Sequence, residues 1–302
     1  MKKTRIRYKK LAFVLAALLL AAAAIIQLGR FLAAEGARLF AGGQGEDIRY
    51  CLFVGIRDSA AREADSLVLV SADPGKQTLY AVSIPGITEI AREGSRPLFL
   101  KDVYAEGGAE QTVSAVENLL HIRISRYTVF DAAAFSHLVE ETGGVDFYVE
   151  QDMYHEDENH VPDIQLRQGV QTLGGKDAYG YMRFLDAGDG EIGRIQREER
   201  FMKAFLKQAA GTSRLYSWGR VRWGDLLPEG TLTPREAASL AYDVLGFPEE
   251  NWRFIILPGE IRRENGRTVW QVNPVEIQKV VGLMMEEPGE EKEKSHDNTG
   301  KN

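Results

Sequence analysis

Four arginines bracket a glycine-rich acidic loop between Tyr181 and Arg200, and their spacing suits the binding of phosphate groups. They are Arg183, Arg194, Arg197 and Arg200. Arginine is preferred at phosphates because its planar, permanently charged guanidinium donates two parallel hydrogen bonds. A predicted helix at 192–209 places Arg194 and Arg197 on one face near its positively polarised N-terminus, where anions bind well. The alternative is an amphipathic surface helix with arginines at its polar positions.

The first thirty residues have the pattern of a membrane anchor. Six of the first ten residues are Lys or Arg, and residues 11–29 contain Gln27 as their only strongly polar side chain. A helix over 11–28 would span roughly 27 Å, close to the roughly 30 Å of a bilayer core. We predict a cytoplasmic basic tip at 1–10, a single transmembrane helix at 11–29 and an extracytoplasmic remainder. A cleaved signal peptide is the alternative, because small residues are plentiful at 21–34.

The composition is acidic, with 44 Asp and Glu against 37 Lys and Arg. Because the N-terminal tip holds six of those cations, the rest of the chain is more acidic still. An acidic surface does not attract nucleic acid, so we expect no nucleic-acid partner. An anionic ligand must therefore be held by a local cluster of arginines. Cys51, the single cysteine, opens an apolar run and is predicted to be a buried strand residue rather than a nucleophile.

Segments typical of strands and helices alternate after a linker at 30–48. Strands are predicted at 50–56, 66–71, 78–84, 127–130, 145–149, 253–257 and 268–272, and helices at 112–120, 132–142, 192–209, 234–245 and 274–285. This alternation predicts an α/β sandwich with a central sheet over 49–287, divided into a core at 49–210 and a C-terminal part at 211–287. The tail at 288–302 is strongly polar and is predicted to be disordered.

Eight sequence blocks, in this order along the chain, resemble the LytR-CpsA-Psr family. The blocks are L-F-V-G-I (52–56), A-D-S-L-V-L-V-S-A-D-P (64–74), S-I-P (83–85), Y-A-E-G-G (104–108), E-N-L-L-H-I (117–122), F-S-H-L-V-E-E-T-G-G-V-D (135–146), L-G-G-K-D-A-Y-G-Y-M-R-F (173–184) and G-E-I-G-R-I-Q-R (190–197). The resemblance runs in register over about 50–206, and the segment up to 285 is similar to a C-terminal part found in many members.

The resemblance implies a fold, a location and an activity. The fold is a three-layer α/β/α sandwich with a central mixed sheet, and it faces the cell wall of a Gram-positive-type bacterium. The activity is a phosphotransfer that moves a glycopolymer from a polyprenyl-pyrophosphate carrier onto peptidoglycan, with help from Mg²⁺. The lipid part of the carrier would need an apolar tunnel through the sandwich.

The same resemblance implies roles for individual residues. Asp65 is expected to be the catalytic base or a ligand of Mg²⁺, and Asp58 is a second candidate metal ligand. The expected pyrophosphate ligands are all cations, namely Arg183, Arg194, Arg197 and Lys101. Such groups would meet the negative charge that develops as a sugar hydroxyl attacks the phosphate. Glu191 stands where the family's G-D-I-G-R element has an aspartate.

Several positions depart from the family's pattern. The chain reads S-I-P-G-I where the family reads S-I-P-R-D, so that Gly86 and Ile87 replace an arginine and an aspartate. Leu185 replaces the second arginine of R-F-R, and Glu63 replaces the arginine of R-S-D. Arg57 fills the place of an aspartate that follows L-x-G. The changes at Gly86 and Leu185 remove two arginines from positions where the family binds phosphate.

Two functional classes follow from this mixture. The first is an active phosphotransferase in which another cation replaces the missing charge, and the candidates are Arg57, Arg62, Arg92 and Lys101. The second is a catalytically degenerate member that binds the lipid-linked precursor, or a partner transferase, without turnover. Retention of Asp65 and Arg183 favours the first class. The joint changes at Gly86, Ile87 and Leu185 favour the second.

Two weaker patterns have a functional and a structural interpretation each. His155 and His160 lie in the acidic stretch 150–163, which is either a metal site or a solvated insertion loop. Trp218 and Trp223 form either a platform for a sugar or part of the packing between the C-terminal part and the core.

Overall fold

The computed structural model describes residues 50–57, 63–92, 96–157, 159–186, 188, 190–211, 226–227, 229–264 and 266–285. The predicted basic tip (1–10), anchor (11–29), linker (30–48) and disordered tail (288–302) lie outside these residues. Within the described ranges, no helix combines the length and the apolar character needed to cross a bilayer.

A mixed sheet of six strands forms the centre of the fold, as predicted. Its strand order is β11-β6-β1-β2-β3-β12. The strands are β1 (Cys51–Ile56), β2 (Ala64–Asp73), β3 (Thr78–Ser83), β6 (Arg126–Asp131), β11 (Glu229–Gly230) and β12 (Trp252–Ile256). β2 runs antiparallel to both of its neighbours, β1 and β3, whereas β6 and β12 are parallel to β1 and β3.

Helices cover both faces of this sheet, which gives the predicted three-layer arrangement. The helices are α1 (Leu100–Leu120), α2 (Ala132–Glu141), α3 (Gly175–Arg183), α4 (Gly190–Ala209), α5 (Pro234–Gly246) and α6 (Pro274–Met285), with a short 3-10 helix at Glu249–Asn251. Side chains alternate between the two faces of a strand. Leu52 and Val54 therefore face the layer of α1 and α6, while Cys51 packs against Ala237 of α5. Cys51 is fully buried in β1, as expected.

Four short antiparallel ribbons complete the described structure. Two lie near the sheet: β4 (Glu89–Ile90) with β5 (Leu98–Phe99), and β13 (Gly259–Glu264) with β14 (Arg267–Val272). The other two are β7 (Val145–Val149) with β10 (Gly169–Leu173), and β8 (Met153–Glu156) with β9 (Pro162–Leu166).

The stretch 150–163 is largely exposed, as the interpretation as a solvated insertion predicts, but it is not simply a loop, because residues 153–156 and 162–163 belong to strands of the β8–β9 ribbon. Met153 and Ile164 are buried in a second hydrophobic cluster, away from the one under α1. Alternation of buried and exposed residues along β9 was masked in the sequence by the many charges around it. The acidic side chains therefore occupy the outer face of a structured ribbon.

The second hydrophobic cluster fixes α3 and α4, the two helices that carry the arginines. Tyr181 of α3 packs edge-to-face on Phe147, with 4.8 Å between the ring centroids. Phe201 of α4 contacts Tyr181 and Phe135 at centroid distances of 6.4 Å and 6.0 Å. Interlocked aromatic rings bury a large apolar area and restrict the rotation of each other. The cluster therefore determines where the polar faces of the two helices lie.

A close approach between α2 and α3 also positions the arginine-bearing helices. A Cβ atom built on Gly175 would lie 2.1 Å from the backbone carbonyl oxygen of Ser136. The Gly175 amide donates a hydrogen bond of 2.7 Å to Glu140. Only glycine fits at this contact, because the obstructing atoms belong to the backbone of α2.

Replacing Gly175 by alanine should destabilise the protein by about 1–3 kcal/mol, because α3 must shift away from α2 to admit the methyl group. Gly180→Ala is the matched control in the same helix. A Cβ there meets the Ile164 side chain at 3.6 Å, an ordinary contact. The control should gain up to about 1 kcal/mol from higher helix propensity. Chemical denaturation measures both values, and equal stability of the two variants would contradict the assignment.

Candidate functional site

The predicted site residues gather at the edge of the sheet where β1 and β3 end and β2 begins. Arg57 directly follows β1, and Asp65 is the second residue of β2. Ser83, the last residue of β3, pairs with Val68 in the antiparallel register of β2. The antiparallel pairing of β1 with β2 thus brings Arg57 and Asp65 to one edge, beside the turn at Gly86.

Asp65 lies at the centre of a group of charges. Burial raises the pKa of Asp65, and the neighbouring charges of Arg57, Arg194 and Arg183 oppose this rise. The negative charge of Glu63 adds to it. The structure therefore brings together Asp65, Arg183 and Arg194, which were predicted to share a site, and adds Arg57.

Arg194, in the first turns of α4, is clamped between two carboxylates on its own helix. Its Nε and Nη2 donate to Glu191 at 3.2 Å and 2.7 Å, and its Nη1 donates to Glu198. Residues three and four positions apart are neighbours on a helix, which explains both contacts. The second oxygen of Glu198 accepts a hydrogen bond of 3.1 Å from Ser66. Arg194 is therefore fixed and electrically compensated in the free protein.

Arg197, one turn further along α4, is buried and has no carboxylate partner among the described residues. Only 2% of its surface is exposed, although arginine is rarely found so deep in a protein. Its Nη2 donates a 2.6 Å hydrogen bond to the carbonyl oxygen of Phe184, and its guanidinium lies 5.6 Å from the centroid of the Phe184 ring. Its Nε–H has no hydrogen-bond partner. The interpretation of α4 as an ordinary surface helix is therefore wrong for Arg197.

Arg183, the last residue of α3, contacts the β8–β9 ribbon. Its Nη2 binds a carboxylate oxygen of Asp163, and the other oxygen of Asp163 lies 2.6 Å from Nδ1 of His155. The guanidinium also lies 5.8 Å from the centroid of the Tyr179 ring, one turn earlier in α3. His155 and Asp163 thus form a support for a predicted site residue. The described residues contain no group of three or more potential metal ligands, there or elsewhere.

Lys101 occupies the space beside Gly86, where the sequence lacks an arginine. A Cβ on Gly86 would lie 3.0 Å from the Cβ of Lys101 and 3.7 Å from Glu191. The Lys101 ammonium binds Glu63 with 2.6 Å between Nζ and Oε2. The backbone of Lys101 also bonds to Gly86, with 3.0 Å from its amide nitrogen to the carbonyl oxygen. The two sequence departures at Gly86 and Glu63 are therefore neighbours of one lysine.

Three charged groups of the site form no ion pair with any residue that the structure describes. They are Asp65, Arg57 and Arg197. The other cations are paired internally: Lys101 with Glu63, Arg194 with Glu191 and Glu198, and Arg183 with Asp163. Asp65 and Arg57 thus present a carboxylate and a guanidinium without an ion pair, and Arg197 presents a buried guanidinium whose Nε–H has no partner among the described residues. A free carboxylate is the kind of group that Mg²⁺ or a transferred proton requires.

Some predicted site residues are not found in this group. Arg92 binds Glu106 on the surface, with 2.8 Å between Nη2 and Oε2. Arg200 binds Glu150, with 2.8 Å between Nη2 and Oε1. Asp58, Arg62, Trp218 and Trp223 lie outside the described residues. Leu185 is 61% exposed, and its apolar side chain does not supply the positive charge of the arginine in the family's R-F-R element.

Two residues of the site escaped the sequence reasoning. Glu198 follows Arg194 by four positions, a spacing that signals an ion pair on a helix. Tyr179 precedes Arg183 by four positions and lies in the block 173–184 that resembles the family, but the resemblance assigns it no role. Burial, followed by the nearby Asp65 charge, raises the pKa of Tyr179 to about 12. Its hydroxyl therefore keeps its proton at neutral pH.

The buried carboxyl of Glu198 should make the stability of the protein depend on pH. Burial raises the pKa of Glu198 to about 7, although Arg194 and the Ser66 hydroxyl oppose the rise. The ordinary value of 4.5 applies in the unfolded chain. Between these two values the folded state holds a proton that the unfolded state has lost. The stability contributed by Glu198 is therefore fully present at low pH and is lost as the pH rises towards 7.

Wild type should therefore lose more stability than Glu198→Gln between about pH 5 and pH 7.5, with a difference on the order of 3 kcal/mol. The free energy of unfolding from urea titrations at each pH measures this difference. Other carboxylates contribute equally to both proteins, so the comparison isolates Glu198. Parallel pH profiles for the two proteins would show that the carboxyl titrates normally.

Comparison with known proteins places the chain in a family. The LytR_cpsA_psr family model matches residues 42–285. Among individual proteins, TagV of Bacillus subtilis (strain 168), named as a polyisoprenyl-teichoic acid–peptidoglycan teichoic acid transferase, is 30% identical over 173 residues. The match covers 54% of this chain and 44% of TagV. TagU of Bacillus cereus, which carries the same functional name, is 32% identical over 169 residues, which cover 55% of this chain and 53% of TagU.

The chain thus spans about half the length of these relatives. Solved structures agree in fold over a larger share. The crystal structure of TagV from B. subtilis matches with a TM-score of 0.66 and 23% identity, over 78% of this chain and 96% of that one. The structure of TagT bound to LIIa-WTA matches with a TM-score of 0.64 and 22% identity, over 80% and 92%. The mixed central sheet with flanking helices is therefore a shared fold. Because the family match covers well over half of the sequence, the chain belongs to the LytR-CpsA-Psr family.

Proposed function

We propose that this protein transfers a glycopolymer from a polyprenyl-pyrophosphate carrier to peptidoglycan. The observation that carries the proposal is the buried guanidinium of Arg197, which no described carboxylate neutralises. An isolated buried charge is costly, so it calls for a partner of opposite charge. A pyrophosphate would supply that charge and would accept the hydrogen bond that Nε–H does not make in the free protein.

The central face of the sheet supports the lipid part of the proposal. Phe53 and Val68 pair across β1 and β2, the two innermost strands. Both are only partly buried, although they lie in the middle of a sheet with helices on both faces. Incomplete packing on this apolar surface is consistent with room for a polyprenyl chain. The names of the TagU and TagV relatives supply the same class of substrate.

The chemical step requires few groups from the protein. An oxygen of the acceptor sugar hydroxyl forms a bond to the glycan-side phosphorus, while the bond from that phosphorus to the bridging oxygen breaks. Polyprenyl phosphate leaves with the bridging oxygen and its electron pair. Asp65 takes the hydroxyl proton, and its raised pKa suits that task at neutral pH. Arg57, Arg183 and Arg197 hold the phosphates and stabilise the charge that accumulates on them.

A role as ligand of Mg²⁺ is the alternative to the role of Asp65 as base, because a carboxylate bound to the metal no longer readily accepts the proton. Asp65 presents a carboxylate without an ion-pair partner among the described residues. Mg²⁺ commonly binds one or two carboxylates and completes its coordination with water and phosphate oxygens. Bound there, the metal would supply further positive charge for the pyrophosphate. Asp58 is predicted from the sequence as a second ligand of the metal, and it lies outside the described residues.

The proposed location follows from the sequence of the N-terminus. A basic tip at 1–10 on the cytoplasmic side and an uncleaved anchor at 11–29 would hold the sandwich at the outer face of the cell membrane. The lipid carrier and the peptidoglycan acceptor are both available at that face.

A second candidate function is binding of the lipid-linked precursor, or of a partner transferase, without turnover. The internal pairing of Lys101, Arg183 and Arg194 favours it, because cations that are already neutralised stabilise a transition state less. A transfer assay separates the two candidates, since both require Arg197 for binding and only the first releases polyprenyl phosphate.

Arg197→Met should keep the fold and abolish transfer. Methionine fills a similar volume without a charge, so stability should stay equal or rise. The rate should fall by a factor of about 100 or more if the guanidinium contacts the pyrophosphate. The measurement is release of polyprenyl phosphate from a polyprenyl-pyrophosphate-linked oligosaccharide by the full chain in detergent, with Mg²⁺ and peptidoglycan.

Arg200→Met is the control for this experiment. Arg200 lies on the same helix but is half exposed and binds Glu150. It should transfer at close to the wild-type rate. Equal rates for wild type and Arg197→Met would overturn the assigned role of Arg197. Release by neither protein, together with Arg197-dependent binding of the carrier, would support the second candidate.

Substitution of Lys101 and substitution of Glu63 should change the affinity for the carrier in opposite directions. Lys101→Met should weaken binding of a polyprenyl pyrophosphate by about tenfold, because it removes a cation beside the turn at Gly86. Glu63→Gln should strengthen binding, because it releases the Lys101 ammonium. Both groups are partly exposed, so stability should change by less than about 1 kcal/mol in either variant. Calorimetric titration measures the affinities, and shifts of the same sign would contradict the assignment.

A further inference from the structure

We infer that the hydroxyl group of Tyr179 is an additional ligand of the bound anion, donating a hydrogen bond to a phosphate oxygen. This inference rests on the proposed function, since it names a further contact within the same site. The residue lies on α3, one helical turn before Arg183.

The first support is an unused hydrogen-bond donor. No described residue accepts a hydrogen bond of ordinary geometry from the buried Tyr179 hydroxyl, although the Asp65 carboxylate lies close enough to interact with it. Buried hydroxyls in native proteins are almost always partnered, so an exception in a candidate site requires an explanation. A ligand that binds there and supplies an acceptor oxygen is such an explanation.

The second support is the set of charges around this hydroxyl. Asp65, Arg183 and Arg57 all act on it electrostatically. The Arg183 guanidinium also lies over the Tyr179 ring, at 5.8 Å from its centroid. Arg57 and Arg183 are two of the cations proposed to bind phosphate. An anion held between them would therefore lie close to the phenol.

The third support comes from Tyr181, two residues along the same helix. Its hydroxyl donates a 2.9 Å hydrogen bond to Glu150, and its ring is fully buried in the aromatic cluster. Tyr181 has a structural role in α3, because its ring packs in the aromatic cluster and its hydroxyl has a hydrogen-bond partner. Tyr179 differs because its hydroxyl interacts with Asp65 without the geometry of a hydrogen bond and has no better partner among the described residues.

The hydroxyl groups of Tyr179 and Tyr181 should therefore differ in their effects on ligand binding and on the stability of the protein. Removing an unpartnered buried hydroxyl relieves a desolvation cost, so Tyr179→Phe should leave the thermal midpoint of the free protein unchanged or raise it. Removing the Tyr181 hydroxyl deletes its hydrogen bond to Glu150, which then keeps only Arg200 among the partners described above, so Tyr181→Phe should lower the midpoint. A structural role for Tyr179 predicts the same loss as for Tyr181.

The test measures, by isothermal titration calorimetry, the binding of geranyl pyrophosphate to the full chain in detergent with Mg²⁺. The short prenyl chain keeps the probe soluble, and it retains the pyrophosphate that the hydroxyl would contact. Tyr179→Phe should weaken binding by about tenfold, the effect expected for one hydrogen bond to a charged oxygen. Tyr181→Phe should bind the probe as wild type does.

The outcomes distinguish this inference from the function on which it rests. Failure of wild type to bind geranyl pyrophosphate would overturn both. Equal affinity of wild type and Tyr179→Phe would overturn the role of Tyr179 and leave the proposed function standing. A lowered midpoint together with weaker binding in Tyr179→Phe would mark the residue as structural. Weaker binding at an unchanged or raised midpoint supports the inference.

Discussion

The buried charge of Arg197 is the constraint on which the rest of the site depends. A guanidinium removed from water needs an anion, and the described residues offer it the carbonyl and the ring of Phe184 but no carboxylate. The aromatic cluster around Phe201 holds α4 in place and so prevents Arg197 from turning outward. A buried charge without a counter-charge is unfavourable, and an anion bound only to the folded state would offset it and raise the stability.

Much of the fold followed from sequence patterns, because strands and helices here have regular hydrophobic periods. The helix predicted at 234–245, for instance, is α5, and a capping box formed by Thr233 and Glu236 defines its start. The β8–β9 ribbon was missed because its outer face is highly charged, and the alternation that buries Ile164 and Leu166 is only a few residues long. Periodicity reveals an element only when its polar and apolar faces differ over several turns or residues.

The site was predictable in its residue types and less so in its pairings. Asp65, Arg183 and Arg194 could be named from their motifs, and the structure brings them to one sheet edge. Spacing does not say which groups each arginine meets, since Arg194 and Arg197 have equivalent positions in a helical pattern. In the structure Arg194 meets Glu191 and Glu198, whereas Arg197 meets the carbonyl of Phe184. The partnerships of Lys101 with Glu63 and of Arg183 with Asp163 join distant parts of the chain, and a single sequence gives no sign of them.

The positions of Gly86 and Glu63 in the structure change the interpretation of these two departures from the family's sequence pattern. Considered separately, each removes an arginine from a site that needs positive charge. In the structure both adjoin Lys101, whose Cβ packs at the missing Cβ of Gly86 and whose ammonium binds Glu63. A larger residue at position 86 would crowd that lysine, and an arginine at position 63 would repel it. The two changes are therefore mutually consistent with a cation supplied from the first turn of α1, which indicates a rearranged set of phosphate ligands rather than gradual loss of the site.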